Sequence, residues 1–179
     1  MTMSNYLETD RLILRRFTAD DAEEYFPLVS HHDVVRYTGE PAKKSVAEAR
    51  KILLERPIHD YELHGYGRMA VIEKSSGRLI GFSGLKYLDE LKDVDIGYRF
   101  LPDCWGKGYA TESARALMHD GIREFHFKRI IGMAQPENVD STNVLKKLGL
   151  KFERKFTMGQ DPTELVLYAM DTKFADEIE

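Results

Sequence analysis

The most constraining feature of this sequence is a change of hydrophobic period between residues 94 and 125, with two glycines where the period changes. From Val94 to Leu101, apolar and polar residues alternate, as in a strand with one buried face. Beyond Gly106 and Gly108, small and apolar residues recur at helical spacing: Ala110, Ala114, Leu117, Met118, Gly121, Ile122 and Phe125. This segment therefore predicts a strand, a tight turn and a long helix, in that order.

The glycine turn itself predicts an anion site. Glycines let the backbone from Trp105 to Thr111 fold tightly with its N–H groups exposed, and a helix start adds unpaired N–H groups and a positive dipole. Together they suit a phosphate or pyrophosphate, to which Lys107 could add a charge. The spacing fits neither a nucleotide-triphosphate loop nor the dinucleotide pattern Gly-x-Gly-x-x-Gly, because Thr111 stands in the third glycine's place. A glycine-rich turn without a ligand is the alternative.

The remaining periodicity predicts one α/β (α+β) domain over residues 1–179, with a mostly antiparallel sheet. Capping-box-like starts at Thr18 and Ser45 predict two helices, and Pro57 ends or kinks the second. Strands are predicted at residues 12–17, 68–74, 79–87, 94–101, 129–134, 150–157 and 164–170, and the later helices at 110–125 and 141–148. Short turns between successive strands favour antiparallel pairing.

Composition and charge exclude several classes of protein. The net charge is −4, and the sequence lacks the dense run of lysine and arginine that would predict a nucleic-acid partner. No apolar run approaches the roughly 18 residues of a membrane span. The polar, acidic start, residues 1–10, is unlike a signal peptide. A single cysteine, Cys104, fits a reducing compartment, so we expect a cytoplasmic protein.

Three blocks of sequence carry a family resemblance. Residues 8–15 read ETDRLILR, residues 97–112 contain the run WGKGYATE, and residues 138–150 read NVDSTNVLKKLGL. In this order they resemble the GNAT superfamily of N-acetyltransferases, and most closely its RimJ/RimL-like branch, the ribosomal-protein N-terminal acetyltransferases. The resemblance implies the acyl-CoA N-acyltransferase fold, with a mixed, mostly antiparallel sheet of six to seven strands flanked by four helices.

The resemblance also implies acetyl-coenzyme A as the cofactor. Backbone amides of the glycine turn would hold its pyrophosphate, and the strand ending at Phe100 and Leu101 would pair with its pantetheine arm, as would the amide of Asn138. The complete expected set is Phe100, Leu101, Gly106, Lys107, Gly108, Tyr109, Ala110, Thr111, Asn138 and Asn143. The superfamily usually has glutamine or arginine where this chain has Trp105.

Acetyl transfer needs a proton for the leaving thiolate, and the resemblance points to Ser141 as its source. The alternative is a serine that caps a helix. Leu145 occupies the position where many superfamily members carry a tyrosine acid, and Tyr168 is a reserve acid or a core aromatic residue. Cys104 has no paired histidine nearby in sequence, so direct attack by the amine is expected rather than a nucleophilic cysteine.

The amine must be neutral when it attacks, and Asp95 is the candidate base. A protein α-amine has a pKa near ~8, so a weak base suffices, whereas a lysine amine near ~10.4 is harder to deprotonate. The alternative is that Asp95 is a solvent-facing strand residue. Glu112 is expected to complement the helix dipole. His31 and His32 lack a third ligand, so no metal site is predicted.

The acceptor groove is expected from residues 31–44 and 58–65. The favoured acceptor is a protein N-terminal α-amine, and the alternative is a small-molecule amine such as a polyamine, amino acid or aminoglycoside. A non-catalytic acyl-coenzyme A sensor is the rival of another class, supported by the missing tyrosine at Leu145. The oligomeric state stays open between monomer and homodimer, since edge strands near the C-terminus could pair.

Overall fold

The short turns between the strands build one mixed sheet. A computed structural model describes residues 1–172, in which eight strands follow the order β1-β2-β3-β4-β5-β6-β8-β7. The strands are β1 Tyr6–Glu8, β2 Leu12–Arg15, β3 Arg68–Glu73, β4 Leu79–Leu88, β5 Asp93–Phe100, β6 Arg129–Ala134, β7 Lys151–Phe156 and β8 Leu165–Asp171. Every neighbouring pair is antiparallel except β5 and β6, which run parallel.

The predicted fold class is confirmed, whereas the predicted numbers of elements were too low. The helices are α1 Ala22–Ser30, α2 His32–Val35, α3 Val46–Leu53, α4 His59–His64, α5 Tyr109–Phe125 and α6 Val139–Lys147. The sequence prediction missed β1, α2 and α4, because three or four residues are too short for a period and Pro57 obscured α4. None of the helices within residues 1–172 is long and apolar enough to cross a membrane.

Pro57 does not end its helix. Residues Leu54–Ile58 form a π-helical turn that joins α3 directly to α4, so the missing N–H of the proline falls where the regular bonding is already interrupted. The helical path ends only at Gly65, whose φ of 78° is the left-handed C-cap conformation. As a result, Arg56 and Asp60 lie on a continuous wall over the sheet.

Helices cover both faces of the sheet. On one face α5 packs so closely on β4 that a Cβ at Gly121 would lie 2.3 Å from Leu85, and α6 places Leu145 against Gly132 of β6. On the other face, buried residues of α1 and α3 pack against β3 and β4, with Ala70 and Phe82 in the contact. The two faces therefore have separate apolar cores.

The parallel pair in the middle of the sheet separates after two residues. Val94 pairs with Ile130 and Asp95 with Ile131, and there the pairing between β5 and β6 stops. Beyond this point β5 continues to Phe100 bonded to β4 alone, while β6 continues bonded to β8. A gap therefore opens in the sheet on the side where α5 begins.

We expect Leu145→Ala to lower the free energy of unfolding by about 2–5 kcal/mol, since Leu145 is 1% exposed and the truncation would leave a cavity over Gly132. Denaturant unfolding measures the loss. Val139→Ala on the same helix is the control, because Val139 is 57% exposed and its truncation should change stability by less than about 0.5 kcal/mol. Equal losses in the two variants would contradict the packing described.

Candidate active site

A cavity of about 690 Å³ runs through the gap in the sheet. It begins at the glycine turn, where Gly108 lines it, and passes between Tyr98 of β5 and Ala134 of β6. It ends on the face covered by α1 and α3, where Tyr25 and Arg56 form its wall. The cavity therefore connects the glycine turn at the start of α5 with the opposite face of the sheet.

The glycine turn presents a row of unbonded amides. Gly106 and Gly108 have φ of 72° and 81°, in the left-handed region that glycine adopts without strain. Within the described residues, no N–H from Gly106 to Thr111 donates to a protein acceptor, and Glu112 is the first to do so, to the Gly108 carbonyl at 3.0 Å. Six consecutive amides at a helix start suit a pyrophosphate. The chain thus fits the cofactor that the resemblance implies.

Arg11 and Glu112 hold this turn in place, a role that sequence reasoning did not assign to Arg11. Its Nη1 donates to the Lys107 carbonyl at 2.8 Å, and its Nη2 lies 2.6 Å from the Glu112 carboxylate. Thr9 donates to the same carboxylate at 2.6 Å. Burial alone would raise the pKa of Glu112, but the hydrogen bonds from Thr9 and Arg11 outweigh it and lower that pKa. Glu112 therefore anchors the turn as well as facing the helix dipole.

Two residues of β5, Tyr98 and Phe100, direct their backbone N–H and C=O groups toward the gap. The Leu101 N–H donates to Ile80 of β4 at 2.9 Å and the Leu101 carbonyl accepts from Cys104, so neither group of Leu101 is open to a ligand. Because alternate residues of an antiparallel strand face its partner, Tyr98 and Phe100 direct their backbone groups away from β4. The indole of Trp105 donates to the Phe100 carbonyl at 2.8 Å. The N–H groups of Tyr98 and Phe100 remain for a strand-like ligand.

Most of the predicted cofactor residues line the cavity, but three do not. Those that do are Phe100, Gly106, Gly108, Ala110, Thr111, Asn138 and Asn143. Leu101 is bonded within the protein, and Lys107 is exposed. Tyr109 is buried and donates its hydroxyl to Glu73 at 2.6 Å, so it braces the turn from behind and offers only its backbone N–H.

Ser141 lies at the start of α6 facing β5. The cap of α6 is Asn138, whose side-chain oxygen accepts from the Ser141 N–H at 3.2 Å, so the capping role proposed as the alternative for Ser141 belongs to Asn138. The Tyr98 hydroxyl lies 3.3 Å from the Ser141 hydroxyl and donates to the Ser141 carbonyl at 2.7 Å. Burial raises the pKa of Tyr98. The Tyr98 hydroxyl, which the sequence did not single out, therefore positions Ser141 beside the gap.

Asp95 is buried, at 5% exposure, and is not solvent-facing. It sits where β5 and β6 separate and forms an ion pair with Arg68 of β3, whose guanidinium reaches across Gly84 and also donates to the Asp95 carbonyl at 2.9 Å. Burial raises the pKa of Asp95, and the Arg68 charge opposes the rise. A Cβ at Gly97 would lie 2.4 Å from Arg68, so this glycine makes room for the pair.

The other candidates lie outside the chemistry. Leu145 is in the core, and Tyr168 packs edge-on against Phe152, outside the residues that line the cavity. Cys104 lines the cavity, but burial and the neighbouring Asp103 raise its pKa, which favours the protonated thiol over a nucleophilic thiolate. His31 caps α2 by accepting from the Asp33 N–H. Within residues 1–172, no three His, Cys, Asp or Glu side chains are placed to hold a metal ion.

We expect Glu112→Gln to lower the free energy of unfolding by about 1–3 kcal/mol at pH 7 and by much less at pH 3. The folded-state pKa of Glu112 is lowered, so its contribution is present above the unfolded value of about 4.3 and disappears as the pH falls through the folded value. Denaturant unfolding at both pH values measures this. Glu62→Gln, at an exposed position on α4, should change the free energy of unfolding by less than about 0.5 kcal/mol at pH 7, and an equally small loss in Glu112→Gln would contradict the anchor.

Comparison with known proteins agrees with this geometry. Residues 11–151 match the family model described as an acetyltransferase (GNAT) domain. The uncharacterized N-acetyltransferase YnaD of Bacillus subtilis is 32% identical over 152 residues, covering 84% of this chain and 85% of that protein. A GNAT-family acetyltransferase structure from Bacillus anthracis superposes with a TM-score of 0.78 at 29% identity, covering 93% of this chain and 98% of that chain.

A second solved structure shares the fold at lower identity. It is RimL, a ribosomal L7/L12 α-N-protein acetyltransferase in complex with coenzyme A, with a TM-score of 0.79 at 19% identity. The superposition covers 93% of this chain and 97% of that chain. Because the family model spans most of the sequence and the turn offers the amides that a pyrophosphate requires, the chain belongs to the GNAT family and is an acetyl-CoA-dependent N-acetyltransferase.

Proposed function

We propose that this enzyme acetylates a primary α-amine by direct attack within a ternary complex. The observation that carries the proposal is the continuity of the cavity, which runs from the amides of the glycine turn, along Tyr98, to a chamber beside Asp95. Acetyl-CoA supplies the activated acetyl group as a thioester. The two ends of one cavity let both substrates be bound at the same time, so no acyl-enzyme is needed, and the protonated thiol of Cys104 agrees with that route.

Backbone groups of β5 stabilise the charge of the transfer step. The Tyr98 N–H faces the gap where β5 leaves β6, and an amide fixed there donates to the carbonyl oxygen on which negative charge develops. Its position is set by the β4–β5 ladder, so it needs no rearrangement during the reaction. The Ser141 hydroxyl, held beside Tyr98, gives a proton to the leaving sulfur.

Asp95 is the base of the acceptor chamber, the end of the cavity lined by Tyr25, Arg56 and Asp95. Two arginines of this chamber are compensated, since Arg68 is paired with Asp95 and Arg56 with Glu40. Asp95, whose own pKa is raised by burial, takes up the proton of the attacking amine directly or through water. Because an α-amine starts near pKa ~8, this weak base is sufficient.

The acceptor we propose first is a protein N-terminal α-amine. The RimJ/RimL-like sequence blocks support it, and the structural likeness to RimL agrees at the level of the fold. A small-molecule amine is the second candidate, favoured by side-chain charges that lie inside the cavity rather than on its rim. The ordered contacts among Ser141, Tyr98 and Asn138 favour an enzyme over a sensor without turnover.

We expect Gly108→Ala to weaken coenzyme A binding about tenfold, because a left-handed backbone costs a non-glycine residue roughly 1–2 kcal/mol and the turn would relax to avoid it. Isothermal titration measures the affinity. Gly77→Ala is the control: Gly77 has φ of 70° in the β3–β4 turn, so it should lose similar stability and keep its affinity. Equal affinity in the two variants would place the cofactor elsewhere.

We expect Ser141→Ala to lower kcat by about 100-fold or more while the coenzyme A affinity is unchanged, since general acid catalysis contributes roughly 10²–10⁴-fold.

Tyr98→Phe should lower kcat less, because Ser141 remains but loses its positioning contact. Asp95→Asn should lower kcat/KM most at low pH, where the amine is most protonated. Thiol release from acetyl-CoA with a panel of amines measures all three. A Ser141→Ala enzyme with full kcat would remove Ser141 from the mechanism.

A further inference from the structure

The acceptor chamber contains a buried carboxylate oxygen without a hydrogen-bond partner. It belongs to Asp60 of α4, which lines the cavity on the same helical wall as Arg56. Within residues 1–172, the Asp60 Oδ2 is buried and accepts no hydrogen bond, and no ion pair includes Asp60. The other buried side-chain atom without a partner in this range, the Ser83 hydroxyl, lies outside the cavity lining. Buried charged oxygens normally accept hydrogen bonds, so Asp60 points to a donor that a ligand brings.

The packing of α4 on the start of β3 fixes the position of Asp60. A Cβ at Gly67 would lie 3.1 Å from the Asp60 Cβ and 2.8 Å from the Tyr61 ring, so the helix rests directly on the chain there. The Tyr61 hydroxyl donates to the Arg68 carbonyl and holds α4 from the next position. The backbone at Asp60 is therefore fixed, while rotation about χ2 can turn either carboxylate oxygen toward the cavity.

The other carboxylates that line the cavity are paired or solvated. Asp95 is paired with Arg68. Asp33 and Asp140 are exposed, so water hydrates their charges. Within the described chain, Asp60 is therefore the cavity-lining carboxylate that has a buried oxygen and no partner.

Lys86 lies near Asp60 and does not bond to it. It lines the same cavity from β4, directly opposite Asp95 in the ladder. Burial lowers the pKa of Lys86, and the charges of Asp60 and Asp95 oppose that shift. Within residues 1–172, however, Lys86 forms no ion pair or hydrogen bond. Lys86 therefore offsets the charge of Asp60 in part and leaves its Oδ2 without a donor.

The ligand that an N-acetyltransferase admits to this chamber is an amine. A primary amine is mostly protonated near neutral pH before it reacts. An ammonium group supplies both the N–H donors and the positive charge that the Asp60 carboxylate lacks. Asp95 is less suited to bind this cation, because Arg68 already neutralises it.

We propose that Asp60 binds an ammonium group of the acceptor. This group is either the amine that will react, before it loses its proton, or a second amine of the same molecule, and its chemistry at Asp60 is the same in both cases. The inference rests on the proposed function and adds to it a residue that selects acceptors by charge. Asp60 takes no part in the proton transfer, which belongs to Asp95. Lys86 opposes the binding, because its charge has the same sign as that of the ligand.

Thiol release tests the subsite with matched amines: pentylamine, aminopentanol, cadaverine, and dipeptide amides with lysine or norleucine in the second position. Each amine is compared between the wild-type enzyme and Asp60→Asn, which keeps the shape of the side chain and removes its charge. We expect KM to rise about 10- to 100-fold with kcat nearly unchanged. A rise for every amine identifies the reacting ammonium, and a rise confined to cadaverine and the lysine peptide identifies a second one. An unchanged KM for every amine would overturn the subsite and leave the proposed function standing.

Two further variants separate binding from a general effect of charge. Lys86→Gln should lower KM for the same amines, since it removes a repelling charge, so the two substitutions should act in opposite directions. Glu62→Gln is the matched control, because it removes a negative charge from an exposed position of α4 outside the cavity lining. Equal rises of KM in Glu62→Gln and Asp60→Asn would contradict the subsite. So would a rise in Lys86→Gln as large as that in Asp60→Asn, which would indicate a structural pair.

Stability distinguishes a carboxylate that binds a ligand from one that holds the fold. Because the Asp60 Oδ2 has no partner in the protein alone, Asp60→Asn should not lower the denaturant midpoint of unfolding. A lower midpoint together with an unchanged KM would assign Asp60 to the fold and overturn the proposal.

A binding measurement covers the case in which no amine is turned over, an outcome that would count against the proposed function itself. The coenzyme A-loaded protein is titrated with cadaverine and with pentanediol, its uncharged analogue. We expect cadaverine to bind the wild-type protein about tenfold or more tightly than Asp60→Asn, and pentanediol to show no difference. Equal affinities of the two proteins for cadaverine, or no binding to either, would overturn the subsite whatever the kinetics show.

Discussion

The interrupted pairing between β5 and β6 is the constraint on which the site depends. Backbone groups left without partners inside a sheet cost about 1–3 kcal/mol each, so strands in the middle of a sheet normally stay paired along their length. Here the separation after Asp95 persists because β4 holds one side, β8 holds the other, and α5 and α6 span the gap from one face. An extended ligand that bonds to Tyr98 and Phe100 would restore the missing ladder.

The two ends of the cavity present different kinds of groups to a ligand. At the glycine turn the protein offers main-chain amides, whose direction is fixed by the φ angles of Gly106 and Gly108. In the opposite chamber it offers side chains, chiefly Arg68 paired with Asp95, and Arg99 and Asp60, which line the same cavity. Substitutions in the chamber can therefore change the acceptor without disturbing the turn, because the two sets of groups lie on different elements.

Local sequence patterns predicted the order of the longer helices and strands. They could not predict contacts between residues that are far apart in the sequence. The change of period at residues 94–125 predicted β5, the turn and α5, because each is fixed by neighbours within a few residues. The Arg68–Asp95 pair joins positions 27 residues apart across two strands, and the support of the turn by Arg11 spans 96 residues to Lys107. Leu101 illustrates the same limit, since only the β4 register shows that its N–H is taken.

Trp105 gives the protein a fluorescence signal that is located at the cavity. It is the one tryptophan in the sequence, its indole N–H is fixed on the Phe100 carbonyl, and its ring is 49% exposed at the cavity mouth. Indole emission depends on the surrounding water, so all of the tryptophan fluorescence of the protein originates beside the gap in the sheet. The fold thus contains its own optical reporter of whatever enters between β5 and β6.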